Sequence, residues 1–152
     1  MSIIKKVKNI VLSDKSPENP VLLDEFNQSL LHIFSNSNDF VKIEKIVLSG
    51  IDLDLQDKRG KTALHYCAIN NNYKAVCLLL EHNARTDLFD ILGNSALWDA
   101  VLSYQGDIRI IEQLLLCSSD MHVTNRNMMT VLDVVEKLDD KKLSKLFKRF
   151  IF

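Results

Sequence analysis

Residues 57–87, DKRGKTALHYCAINNNYKAVCLLLEHNARTD, hold a turn, a short helix, a second helix and an exit loop. Asp57-Lys58-Arg59-Gly60 reads as the turn, because glycine reaches a positive φ without steric penalty. Thr62 is placed to cap the first helix with its hydroxyl. Leu64, Cys67 and Ala68 fall on one face of that helix, and the small residues let a neighbour approach closely. Val76, Leu79 and Leu80 mark the buried face of the second helix. Asn83-Ala84 ends it, asparagine being second only to glycine as a left-handed C-cap. A unit of this size cannot bury its own apolar face, so it must stack on copies of itself.

Such copies are written along the chain. Ser29-Leu30-Leu31-His32 stands thirty-three residues before Thr62-Ala63-Leu64-His65. Ser95-Ala96-Leu97-Trp98 stands thirty-three after it, and Thr130-Val131-Leu132-Asp133 follows after thirty-five more. With Lys61 to Ala68 as its best copy, the pattern resembles the T-P-L-H-x-A signature of the ankyrin repeat. The resemblance covers about residues 24–152 and implies an all-α solenoid of three to four helix–turn–helix repeats with helical caps. We divide the single domain, 1–152, accordingly: capping helix and linker 1–23, repeats 24–56, 57–89 and 90–124, and a C-terminal capping repeat 125–152.

Each segment has its own pattern. Ile3, Ile4, Val7, Ile10 and Val11 recur at helical spacing, and Ser13 to Pro20 reads as a polar linker. In repeat one, Leu30, Leu31, Ile33 and Phe34 line the first helix, Val41, Ile43, Ile46 and Val47 the second, and Gly50 stops it. Asn27 stands where the family has its turn glycine. In repeat three, Ser103 to Asp107 is two residues longer than Asn70-Asn71-Asn72, which places an insertion between the two helices. Ile110, Ile111, Leu114 and Leu115 then restore the buried face. In the last repeat Met128 replaces the turn glycine, so an irregular turn is expected. Leu143, Leu146, Phe147 and Phe150 point inward from the final helix, whose lysines face out.

The totals fit this picture. The 152 residues are 47% hydrophobic and 26% charged, with net charge −1, which argues against disorder, nucleic-acid binding and an anionic-membrane role. No apolar run reaches the roughly 20 residues of a membrane span, and residues 1–12 lack the unbroken core of an export signal. Cys67, Cys77 and Cys117 form no C-x-x-C pair and read as reduced core thiols of a cytoplasmic protein. No H-x-x-x-H pair, Cys/His cluster, acidic calcium loop, phosphate-binding glycine motif or G-x-S-x-G elbow occurs. No metal, cofactor or catalysis is expected. Asp52, Asp54 and Asp57 read as solvated loop carboxylates. The resemblance implies that His32 and His65 hydrogen-bond neighbouring backbone.

In the ankyrin family the binding face is built from the finger turns and the exposed side of the first helices. Carried over by position, it comprises Lys58, Arg59 and Lys61, then Ile91, Leu92 and Asn94, then Arg126, Asn127 and Met129, with Asn36, Ser37, Ile69, Asn70, Leu102 and Ser103 on the helices; Phe89 precedes Ile91 by two residues and joins the set. Tyr104, on the inserted loop, is added as a rim contact. Ile91 and Leu92 stand out because such turns are normally polar; with Phe89 and Leu102 they suggest an apolar partner site. Trp98 is expected in the core. The implied function is non-catalytic binding of one protein partner by a chain that is monomeric when free.

A narrower resemblance is carried by Leu92-Gly93-Asn94-Ser95-Ala96-Leu97-Trp98-Asp99-Ala100-Val101, followed by the lengthened loop. It is similar to the G-N-T-P-L-W-x-A-V pattern of small bacterial ankyrin proteins, many of which are encoded beside secreted polymorphic toxins and regarded as their immunity proteins. This implies a cytoplasmic protein that binds and neutralises a toxin domain. The alternative is a general adaptor or regulatory ankyrin module with a different protein partner.

Overall fold

The computed structural model describes residues 23–117 and 119–151. The helix expected from Ile3 to Val11 and the linker Ser13 to Pro20 lie outside them. Among the described residues there are eight helices and no strand: α1 (Leu30–Asn36), α2 (Phe40–Leu48), α3 (Ala63–Ile69), α4 (Tyr73–Glu81), α5 (Ala96–Leu102), α6 (Arg109–Leu116), α7 (Val131–Leu138) and α8 (Lys141–Lys148). Helices α1, α3, α5 and α7 pack in one row, and α2, α4 and α6 in a second row behind it. Each odd helix also packs on the even helix that follows it. The fold is a helical solenoid of paired helices.

The odd helices all start alike. Ser29, Thr62, Ser95 and Thr130 hold extended backbone at the N-cap. At Ser29, Thr62 and Thr130 the hydroxyl and the side chain three residues on (His32, His65, Asp133) both satisfy groups that the first turn leaves unpaired, and at Ser95 the hydroxyl alone does so by accepting the Trp98 N–H. Three of the four even helices, α2, α4 and α8, are capped by Asp39, Asn72 and Asp140, whose side chains accept the N–H of Lys42, Ala75 and Leu143, while α6, with Ile108 at its N-cap, has no side-chain cap. The units end on residues in left-handed backbone, Gly50 (φ 78°) and Asn83 (φ 64°).

Small residues set the spacing of the odd row. Ala63, Cys67 and Ala68 of α3 are fully buried, so α1 and α5 come close on either side. Leu64, Leu79, Leu97 and Leu114 fill the layer between the rows and are inaccessible to water. Each such leucine contributes about 2 kcal/mol by burial. Trp98 is buried with them. Val41 departs from expectation: it is 61% exposed, while Ile43, Ile46 and Val47 carry the contact of α2. The thiols also divide, with Cys67 buried, Cys77 half-buried and Cys117 exposed, so only the first is a core residue. Burial pushes the Cys67 thiol up to about 12.

The insertion of repeat three forms the loop 103–108 between α5 and α6. It is fastened to α8, the Tyr104 hydroxyl donating to Asp140 (3.2 Å) and the Lys142 ammonium to the Gly106 carbonyl (2.8 Å). Among the described residues no helix is long and apolar enough to cross a membrane.

Candidate protein-binding surface

Four finger turns precede the odd helices and share one geometry. Asp24, Asp57, Asp90 and Asn125 open them, and in each the N–H of this residue donates to the carbonyl four residues on, at 2.9–3.1 Å. The Oδ1 of the same residue accepts the N–H groups two and four residues on, at 2.8–3.2 Å. The fourth residue is left-handed throughout: Asn27 (φ 59°), Gly60 (74°), Gly93 (78°) and Met128 (58°). Contrary to expectation, the turn at Met128 is therefore regular. Asn125 supplies the same hydrogen bonds as the aspartates, and these hold methionine in backbone it rarely adopts. Glycine answers a second need at two turns. A Cβ on Gly60 would lie 2.9 Å from the Cα of Asp90, and one on Gly93 would lie 3.1 Å from the Cα of Asn125, because the next finger passes there.

Asp57 is thus a buried structural group and not a solvated carboxylate. It belongs to a polar column that stitches repeat to repeat. Gln28 Nε2 donates to Asp57 Oδ2 (3.2 Å), which also accepts the Tyr66 hydroxyl (2.6 Å). One repeat on, the Lys61 ammonium lies between Asp90 (3.1 Å) and Asp99 (2.5 Å). In the next step Asn125 Nδ2 donates to Asn94 Oδ1 (3.0 Å). Burial alone would raise the Asp57 carboxyl, but its hydrogen bonds from Tyr66, the Lys61 N–H and Gln28 hold it below the usual range. Burial, helped by Asp57, drives the Tyr66 hydroxyl up to about 12. Burial also raises the Asp99 carboxyl, against the pull of Lys61.

The histidines complete the stitching. The N–H of Ser29 donates to His32 Nδ1 (3.1 Å), and that of Thr62 to His65 Nδ1 (3.1 Å). The proton therefore sits on Nε2, which donates to the carbonyl of Lys61 from His32 (3.0 Å) and of Asn94 from His65 (3.2 Å). Burial favours the neutral ring in both and, with the Lys61 charge nearby, holds His65 down at about 4. The resemblance correctly implied this backbone role.

The residues expected at the binding face separate into two sets. Arg59, Ile91, Leu92 and Arg126 occupy the two tip positions of their fingers and are exposed, with Ile91 at 51% and Leu92 at 53%. Phe89 is exposed just before its finger, and its carbonyl accepts Gln56 Nε2 (2.9 Å). Leu102 is exposed at the far end of α5, about 9 Å of helix from the finger, so the apolar patch is not continuous. Ile69 is half-buried at the matching position of α3.

The other set faces inward. Lys61 spends its charge on Asp90 and Asp99, and Asn94 is buried in the column. Met129 is partly buried against the core, and Tyr104 is partly buried and bonded to Asp140. Lys61 and Asn94 are structural because the fifth turn residue points at the next finger, whereas the second and third point out; Tyr104 is held by α8 instead. Sequence reasoning missed Phe26, which is 56% exposed at the position of Leu92. Aligning Asp24 with Asp90 would have found it. Among the described residues no group of His, Cys, Asp and Glu is placed to hold a metal ion.

A family model for ankyrin repeats (3 copies) matches this chain over residues 4–90 and 31–127. The chain belongs to the ankyrin-repeat family. Ankyrin repeats are generally non-catalytic modules of protein–protein interaction. Among its relatives are potassium channel AKT2/3 of Arabidopsis thaliana, 28% identical over 78% of this chain and 15% of that protein. Putative ankyrin repeat protein FPV034 of Fowlpox virus is 40% identical over 41% of this chain and 15% of that protein. A putative ankyrin repeat protein of Rickettsia bellii is 36% identical over 45% of this chain and 21% of that protein. The chain thus spans about a fifth or less of the length of these relatives.

Proposed function

We propose that this ankyrin module binds one protein through its fingertips and, by covering that protein's working surface, blocks or places it. One observation carries the reading. Ile91 and Leu92 stand in water at the tip of a turn whose geometry Asp90, Gly93 and Asn94 already fix. The fold gains nothing from apolar side chains there, and exposed apolar clusters mark partner sites. The contact set is Phe26, Lys58, Arg59, Phe89, Ile91, Leu92 and Arg126, with Ile69 and Leu102 at its far margin. An interface of standard size, roughly 800 Å² per partner, fits a row of four fingers.

The finer reading is an immunity protein, monomeric and cytoplasmic, that occludes a toxin domain. Its support is the Leu92 to Val101 stretch and the lengthened loop behind it. The names of the relatives support the second reading, a regulatory or adaptor module: AKT2/3 is a channel, and this chain matches only a small part of it.

Ile91→Asp with Leu92→Asp tests the surface. The double variant is expected to keep its helical circular dichroism and to lose its partner in pull-downs. Full-strength binding by the folded variant would refute the fingertip reading. Growth rescue on co-expression with a toxic neighbouring gene separates immunity from adaptor function.

A further inference from the structure

Backbone hydrogen bonds give the fingertips a linear order. Lys58 N–H donates to the Phe26 carbonyl, Ile91 N–H to Arg59 and Arg126 N–H to Leu92, each at 2.9 Å. Along the edge the exposed tips therefore run Glu25, Phe26, Lys58, Arg59, Ile91, Leu92, Arg126, Asn127: between the acid at one end and the amide at the other stand one apolar, two basic, two apolar and one basic residue. None of the three basic groups is ion-paired with another described residue. No carboxylate stands among the six from Phe26 to Arg126. Asp57 and Asp90, the acids of the same turns, are buried and occupied by hydrogen bonds from their own turns. Glu25, beside Phe26, is the single exposed acid at the tips of the described fingers. The whole chain carries a net charge of −1, so the positive row is a local feature and not an overall bias.

We infer that the partner presents to this row a segment with an apolar anchor flanked on both sides by carboxylates. The inference rests on the reading of the fingertips as the binding surface and adds the chemistry of what they hold. The anchor sits on Ile91 and Leu92. One acidic flank meets Lys58 and Arg59, and the other meets Arg126. The segment carries no acid where it passes Glu25. Arginine suits both flanks, because its planar fork takes a carboxylate through two parallel hydrogen bonds. The flanks set orientation and speed of encounter, while the desolvated anchor supplies most of the affinity. A polyanion without apolar groups satisfies only half of the row.

The test pans a displayed library of random peptides, roughly a dozen residues long, on the full chain. The winning peptide is then made synthetically and measured by fluorescence anisotropy. We expect winners with Asp or Glu on both sides of a large apolar residue. Lys58→Glu with Arg59→Glu should weaken the winner by roughly tenfold or more at low salt. The same variant should prefer a copy of the peptide whose acids are replaced by lysine. Winners without acidic enrichment, a charge-reversed variant that binds as before, or a library with no binder would each overturn the inference. So would an oligonucleotide of equal charge that binds as tightly as the peptide. Ile91→Asp with Leu92→Asp tells the two levels apart. If charge reversal has no effect but this double variant loses the peptide, the surface stands and only its partner chemistry is wrong. If the double variant binds at full strength, the surface reading itself fails.

Discussion

Acidification should loosen the stack through His65. In the folded chain its Nδ1 accepts the Thr62 N–H and its Nε2–H donates to the Asn94 carbonyl, so the ring is neutral with both nitrogens used. A second proton would face a donor at Nδ1 and bring a buried charge near Lys61. Burial, with that charge, lowers the folded pKa from 6.5 to about 4. The unfolded chain therefore binds more protons between these values, and stability falls as pH falls. The contribution is complete above pH 6.5, declines through the interval and is gone below about 4. At 1.36 kcal/mol per pKa unit the full loss is about 3 kcal/mol, of which about 2 kcal/mol has gone by pH 5. Burial lowers His32 as well, so it acts in the same direction. Urea denaturation followed by circular dichroism at pH 7.5 and pH 5 measures the effect. Wild type should lose about 2 kcal/mol more than His65→Gln over that interval. Equal losses would refute the reasoning. Should the variant not fold, proton NMR of wild type decides: a His65 ring that titrates near 6.5 in the folded chain is incompatible with this account.

Gly60→Ala should cost about 2 kcal/mol or more, since it combines a φ of 74° with a 2.9 Å approach to Asp90. Gly50→Ala, at a φ of 78° but with nothing within 4 Å, should cost only about 1 kcal/mol; urea midpoints compare the two. Met128→Gly should stabilise by about 0.5–1 kcal/mol by removing a side chain from left-handed backbone, read as a rise in melting temperature. Lys61→Gln alone leaves Asp90 and Asp99 without their cation and should cost about 3 kcal/mol. Adding Asp99→Tyr copies the Gln28, Asp57 and Tyr66 arrangement into the next step, and the pair of changes should recover most of that loss in a double-mutant cycle.

The fold was legible because its signals are short-range. A capping Ser or Thr, an apolar face at helical spacing and a left-handed residue at the turn lie within a few residues of one another, and the period repeats them. Even the insertion between α5 and α6 could be placed by counting. Much of the candidate site was not legible, because neighbours one repeat away decide it. Lys61 and Asn94 look like surface residues until Asp90, Asp99 and Asn125 are set beside them. Tyr104 reads as a loop contact until α8 folds back and offers Asp140. Asp57 looks solvated until its four donors are set beside it, the Arg59 and Lys61 N–H groups of its own turn and the side chains of Gln28 and Tyr66. Phe26 was legible by counting alone, since Asn27 matches the turn glycine and so sets Phe26 at the position of Leu92.

On the proposed fingertip reading, stability and recognition fall to different positions of the same five-residue turn. The first, fourth and fifth residues hold the turn and, in the first three fingers, the fourth and fifth meet the next repeat. The second and third lend only backbone to the ladder between fingers, so their side chains can change without disturbing it. The proposed contact residues are thereby mounted on hydrogen-bonded backbone, which would lower the ordering cost of binding. The polar column fixes which finger follows which. Its three steps differ: Gln28 with Asp57 and Tyr66, Lys61 with Asp90 and Asp99, Asn94 with Asn125. A stack slid by one repeat would set Lys61 against Asn125 and leave Asp90 and Asp99 without their cation, and a buried unpaired charge costs about 3–5 kcal/mol. The column thus protects the order of the fingertips as well as the fold. A row that alternates basic and apolar tips is useful only if that order never slips.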